Sequence, residues 1–306
     1  MTSREWPALP FKEWEKTCDT LHMWTQIVGK TRLKLTPHLN HWWNVTLYVT
    51  PLGLTTAQIP FGEKSFEVEF DFADHVLHIR TSEAKHLRIP LFDRSVADFY
   101  HQYMAGLRSF GIDVEIDKIP DEFTDRTPFD EDEHHDSYDR GKVEDFHRIL
   151  THADMAFKEF QSRFVGKFSP VHFFWGSFDL AVTRFSGRLN PNADTSASKM
   201  MREAYSHEVS SCGFWPGDQR FPEPAFYAYQ VPAPAGLSQQ KIKPEKAFWD
   251  AKLGEFLLRY EDVRTADKPA QAILDFCQSA YEVGADLGKW DRAALERPTP
   301  AGKAKA

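Results

Sequence analysis

The chain has 306 residues, 42% of them apolar and 27% charged, and a formal net charge of −8. That balance excludes a disordered, fibrous or membrane-spanning chain. With no basic stripe it argues against nucleic acid and anionic lipid as partners.

Phe11 to Val28 carries Phe11, Trp14, Cys18, Leu21 and Val28 at steps of three and four, with a gap at Thr25. This spacing predicts an amphipathic helix, entered at Pro10 and ended by Gly29. A run of strands is predicted next: 32–35 (RLKL), 43–50 (WNVTLYVT), 66–72 (FEVEFDF), 76–81 (VLHIRT) and 86–91 (HLRIPL). Phe66, Val68, Phe70 and Phe72 alternate with Glu67, Glu69 and Asp71, the pattern of an antiparallel meander with one wet face. Ser95 to Phe110 reads as a helix closing this part.

Residues 121–139 hold nine carboxylates and one arginine, Arg126, so they account for the whole charge excess. The segment lacks calcium-loop spacing and reads as an exposed acidic linker. Beyond it the order of elements repeats. A helix is predicted over 142–164, strands at 180–183 and 224–232, and helical stretches over 244–260 and 269–287. Val165-Gly166-Lys167 echoes Val28-Gly29-Lys30, and Leu180-Ala181-Val182-Thr183 echoes Leu47-Tyr48-Val49-Thr50.

The expected fold is therefore α+β, with antiparallel sheets packed against helices and a pseudo-twofold duplication of a helix–strands–helix unit. The divisions are 1–120, an acidic linker over 121–141, a second half over 142–296 and a disordered tail over 297–306. Three widely spaced cysteines, Cys18, Cys212 and Cys277, fit a reducing compartment. No signal peptide or transmembrane run is read in the chain, and a cytoplasmic location is expected.

Four segments carry chemistry-bearing side chains. In 36–44 (TPHLNHWWN), His38 and His41 lie at i, i+3 beside Trp43, a pair that can ligate a metal or line a polar rim. In 172–179 (HFFWGSFD), Asp179 among aromatics needs a partner: a histidine, an arginine such as Arg184 or Arg188, or a ligand. In 206–218 (SHEVSSCGFWPGD), His207 and Glu208 point to opposite faces of a strand, Trp215 precedes a sharp turn, and Cys212 has no adjacent base. In 30–34, Lys30, Arg32 and Lys34 share one strand face, where they bind an anion or pair with Glu67, Glu69 and Asp71.

The segments WPALPFKEWEKTCDTLHMWTQIVGKTRLKLTPHLNHWWNVTLYVTPLGLTT, HFFWGSFDLAVTRFSGR and SHEVSSCGFWPGD resemble an uncharacterised bacterial family, a domain of unknown function numbered 5996. The resemblance spans about Trp6 to Trp290 and implies no activity. Nucleotide-loop, zincin and nucleophile-elbow signatures are absent from the sequence, and no cofactor is assigned.

The chain holds 43 Trp, Tyr and Phe residues, concentrated beside His, Asn, Asp and Glu. The leading expectation is a pocket for a small organic ligand, lined by Trp43, Trp175 and Trp215 and furnished with His172, Asp179, His207 and Glu208. One alternative is a metal-dependent hydrolase using His172, His207, Glu208 and His38 or His41. The other is a structural or interaction protein whose aromatics only fill a core.

Overall fold

The computed structural model describes residues 5–192 and 196–298. Contacts group the chain into two compact units. One comprises Met1–Thr151, His172–Leu180 and Pro216–Pro224; the other comprises His152–Val171, Ala181–Trp215 and Ala225–Ala306.

The first unit opens with α1 (Phe11–Leu35), which runs seven residues past the predicted end. Gly29 does not cap it. A Cβ there would lie 2.3 Å from Trp175 Cδ1, so the glycine lets the indole rest against the helix backbone. The helix stops at Thr36, which is extended (φ −85°, ψ 143°) because Pro37 follows. Residues 32–35 are therefore helical, and the basic strand face expected over 30–34 does not form. Lys30 is instead buried on α1 and meets Asp121 at 3.0 Å and Asp117 at 3.8 Å.

Six strands follow: β1 (Tyr48–Val49), β2 (Gly53–Thr55), β3 (Ile59–Phe61), β4 (Lys64–Asp71), β5 (Val76–Thr81) and β6 (His86–Pro90). Their order is β1-β2-β4-β5-β6, with β3 also paired to β4, and the register sets Phe70 opposite Leu77. Phe66, Val68, Phe70 and Phe72 are buried as the alternation requires. On the other face Glu69 pairs with Arg80 at 2.7 Å, and Thr55 donates to Glu67, so these acids are engaged within the sheet and not with α1. α2 (Val96–Ser109) starts at Ser95, whose hydroxyl accepts from Asp98 N.

The acidic segment is docked rather than free. Phe129 and Asp132 are fully buried, and Tyr138 nearly so. The Asp132 carboxylate accepts from His134 N, His135 N and His135 Nδ1. These three donors compensate its burial, which the count of carboxylates alone does not reveal. α3 (Arg140–Ser162) begins in this unit. β7 (His172–Phe174) joins it through a two-bond bridge between Phe173 and Leu47.

The second unit contains β8 (Asp179–Leu189) from Ala181 onward, α4 (Lys199–Ala204), β9 (His207–Trp215), β10 (Ala225–Val231), β11 (Phe248–Asp250), β12 (Glu255–Arg259), α5 (Tyr260–Arg264), α6 (Pro269–Leu287) and α7 (Arg292–Leu295). Its strands lie side by side in the order β11-β12-β10-β9-β8. The helix predicted over 244–260 is instead the β11–β12 hairpin. Asp250 Oδ1 accepts from Lys252 N and Leu253 N, and Gly254 takes φ 77°, so the chain reverses there. Phe256, Leu257 and Leu258 are all buried, a run that hides the period of a strand.

Each unit combines antiparallel strands with helices, an α+β architecture. The echo of Val28-Gly29-Lys30 has no structural counterpart: that triplet is helical, whereas 165–167 is not. Of the tail expected to be disordered, Arg297 is anchored, donating from its backbone to Arg163 O and from Nε to Ser162 O. Residues 299–306 lie outside the described residues. Among the described residues no helix is long and apolar enough to cross a membrane.

Candidate functional site

Pro37 fixes where α1 ends, and so places Arg32 in its last turns. The loop that follows folds back onto that end: Thr36 Oγ1 donates to Arg32 O at 2.7 Å, and Asn44 Oδ1 accepts from Leu39 N at 3.2 Å. Arg32 Nε donates to Asn44 O at 2.8 Å, and the guanidinium carbon lies 5.6 Å from the centroid of the Tyr48 ring. Arg32 is buried, and burial lowers its pKa. Among the described residues no carboxylate forms an ion pair with it, and its Nη1 has no hydrogen-bond partner.

His172 reaches the same place from β7, because the Phe173–Leu47 bridge sets it next to β1. Its ring is ringed by Tyr48 at 5.5 Å, Phe174 at 5.6 Å and Trp43 at 5.8 Å between centroids. The side chain is fully buried, and neither ring nitrogen has a partner among the described residues. Burial, reinforced by the charge of Arg32, drives the imidazole pKa down to about 3, so it is neutral near pH 7. Aromatic rings thus enclose a neutral histidine, and the guanidinium beside it is held by Tyr48 and a backbone carbonyl with no carboxylate paired to it.

Trp175 is buried nearby in the chain and structural in its contacts: Nε1 donates to Val45 O at 2.7 Å and the ring rests on Gly29. The 175–178 turn is held by His22, a residue that sequence patterning passed over. Its Nε2 donates to Trp175 O at 2.8 Å and to Gly176 O at 3.0 Å, and its ring stacks on Phe178 at 4.7 Å. Burial lowers its pKa to about 4. The only sequence signal was a histidine one turn before Gln26 on an amphipathic helix. Asp179 accepts from Ser177 Oγ. The arginines expected to pair with it are engaged otherwise. Arg188 meets Glu208 at 2.6 Å, and Arg184 stacks on Phe160, Tyr281 and Phe164.

Trp43, Trp175, His172 and Asp179 belong to the first unit, whereas His207, Glu208 and Trp215 lie on β9 in the second. Glu208 is committed to Arg188, and the His207 ring to Ser206 Oγ at 3.0 Å. Cys212 is fully buried with its thiol toward Cys277 O, without the exposure a nucleophile needs. His38 and His41 each sit against a tryptophan of the loop. His38 is exposed with its ring 4.7 Å from Trp42, and His41 is buried with its ring 5.3 Å from Trp43. Among the described residues no group of three or more His, Cys, Asp or Glu is arranged to hold a metal ion.

A family model described as a family of unknown function, DUF5996, matches residues 6–297. The chain belongs to the DUF5996 family. No curated protein and no solved structure matches it. The Arg32–Tyr48–His172 cage of this DUF5996 member draws on two of the three segments that carry the family resemblance.

Proposed function

We propose that this protein binds a small organic molecule at the aromatic cage formed by Trp43, Tyr48 and His172 above Arg32. The observation that carries this is the set of unpartnered buried polar atoms, His172 Nδ1 and Nε2 and Arg32 Nη1, inside an aromatic wall. Such groups cost stability unless something satisfies them, and ligand sites combine apolar walls with a few convergent polar groups. The neutral imidazole offers one donor and one acceptor at pH 7, so it recognises polar groups without adding charge. A purely structural role leaves these atoms without a reason. A hydrolase built on His172, His207 and Glu208 lacks support, since Glu208 is spent on Arg188.

The test is a thermal-shift screen of a metabolite panel against the full chain and its Trp43→Ala variant. The proposal requires at least one compound that raises the wild-type transition and acts weakly on the variant. A panel in which every compound acts equally on both proteins contradicts it.

A further inference from the structure

We infer that Arg32 and His172 together recognise a small oxyanion, a carboxylate or a phosphate, whose flat or apolar body lies against Trp43 and Tyr48. This rests on the ligand-binding proposal above and names the chemical class of the ligand.

The charge comes first. Arg32 is a buried cation held by the Tyr48 side chain and by a backbone carbonyl at Nε, yet its Nη1 has no partner and no described carboxylate balances it. The other buried lysine and arginine side chains described in this unit are matched: Lys30 by Asp121 and Asp117, and Arg94 by Asp98 at 2.8 Å. A buried guanidinium without an anion is expensive, and the planar fork of arginine suits carboxylate and phosphate oxygens. The second observation is independent of the first. His172, on a different element, is fully buried with both nitrogens unpartnered. Protonation is disfavoured beside Arg32, so His172 contributes a neutral N–H donor. An oxyanion accepting from Arg32 Nη1 and from one His172 nitrogen supplies the missing charge and a partner to each element.

Trp42, Trp43 and Tyr48 are half-buried, and Leu39 is 51% exposed. Two consecutive bulky residues of the loop over 36–47, His41 and Trp42, hold left-handed backbone (φ 56° and 61°), a conformation that costs energy.

The experiment follows the imidazole ring nitrogens of histidine-labelled full-length protein by NMR at pH 7.5. His172→Phe assigns the His172 signals. Sodium benzoate, sodium phosphate and the neutral probe benzyl alcohol are titrated separately against sodium chloride at equal ionic strength. The expected result is a saturable shift of the His172 signals with benzoate or phosphate beyond that with chloride. Which anion binds tells a carboxylate ligand from a phosphate one. Arg32→Met should weaken that binding ~10- to 100-fold, the scale of one charge-assisted hydrogen bond. If Arg32→Met does not fold, the wild-type titration decides alone. Absence of a saturable shift with both anions overturns the inference, as does undiminished binding by Arg32→Met. Saturation by benzyl alcohol alone overturns the oxyanion inference while leaving the aromatic binding site standing; silence from all three probes counts against both.

Discussion

Replacing His172 by phenylalanine probes the cage without its nitrogens. In the folded chain the imidazole pKa is about 3, against an ordinary value of 6.5. A base whose folded pKa is depressed contributes stability that is whole above pH 6.5 and is lost as pH falls toward 3. Below pH 6.5 the unfolded chain gains a proton that the folded chain refuses, at about 1.4 kcal/mol per pH unit. Between pH 7.5 and 5.5 the wild type should lose about 1.4 kcal/mol through this residue alone. The difference between wild type and variant isolates His172. At pH 7.5 the phenyl ring is close in shape and leaves no buried polar atom unpaired. Removing two unpartnered nitrogens should make His172→Phe equal to wild type or up to about 2 kcal/mol more stable. Urea unfolding at the two pH values, followed by tryptophan fluorescence, gives both numbers. An unchanged acid loss in the variant, or a deficit above about 2 kcal/mol at pH 7.5, would show that the nitrogens have partners and refute the reasoning.

Other substitutions test the framework that holds the cage. Gly29→Ala places a methyl group within 2.3 Å of the Trp175 ring, and the overpacking should cost about 1–3 kcal/mol in urea unfolding despite the better helix propensity of alanine. Phe129→Ala should cost about 3–5 kcal/mol if the acidic segment is a docked part of the core, and almost nothing if it is a free linker. All three cysteines are buried, and burial holds the Cys18 and Cys277 thiols well above their ordinary pKa. Ellman's reagent at pH 8 should therefore label native protein slowly and all three thiols once it is unfolded in guanidinium.

What the sequence made legible follows the strength of each local period. The 66–72 alternation, the 76–81 strand, the 95–110 helix and the 269–287 helix all form within a few residues of where they are expected. Gly29 misled because its reason is tertiary: a tryptophan almost 150 positions away lies against it, and no local pattern records that. Once Gly29 is read as a stop, 32–35 looks like a strand and Arg32 joins the wrong face. The acidic segment misled in the opposite sense, since carboxylate count hides Phe129, Asp132 and the hydrogen bonds that make burial affordable. For the site, His172 and Trp43 were legible as unusual residues in unusual segments. Arg32 was noticed as an anion binder but on a strand that does not exist. Tyr48 and His22 were missed because each takes its role from a contact with the 172–178 segment, far away in sequence.

The most direct test of ligand binding at the cage is a crystal structure of the protein grown with the compound that stabilises it most in the thermal-shift screen. The account predicts density for that compound against Trp43 and Tyr48, with polar atoms within hydrogen-bond distance of Arg32 Nη1 and a His172 nitrogen. Density for the compound elsewhere, with only ordered water satisfying Arg32 and His172, would contradict it.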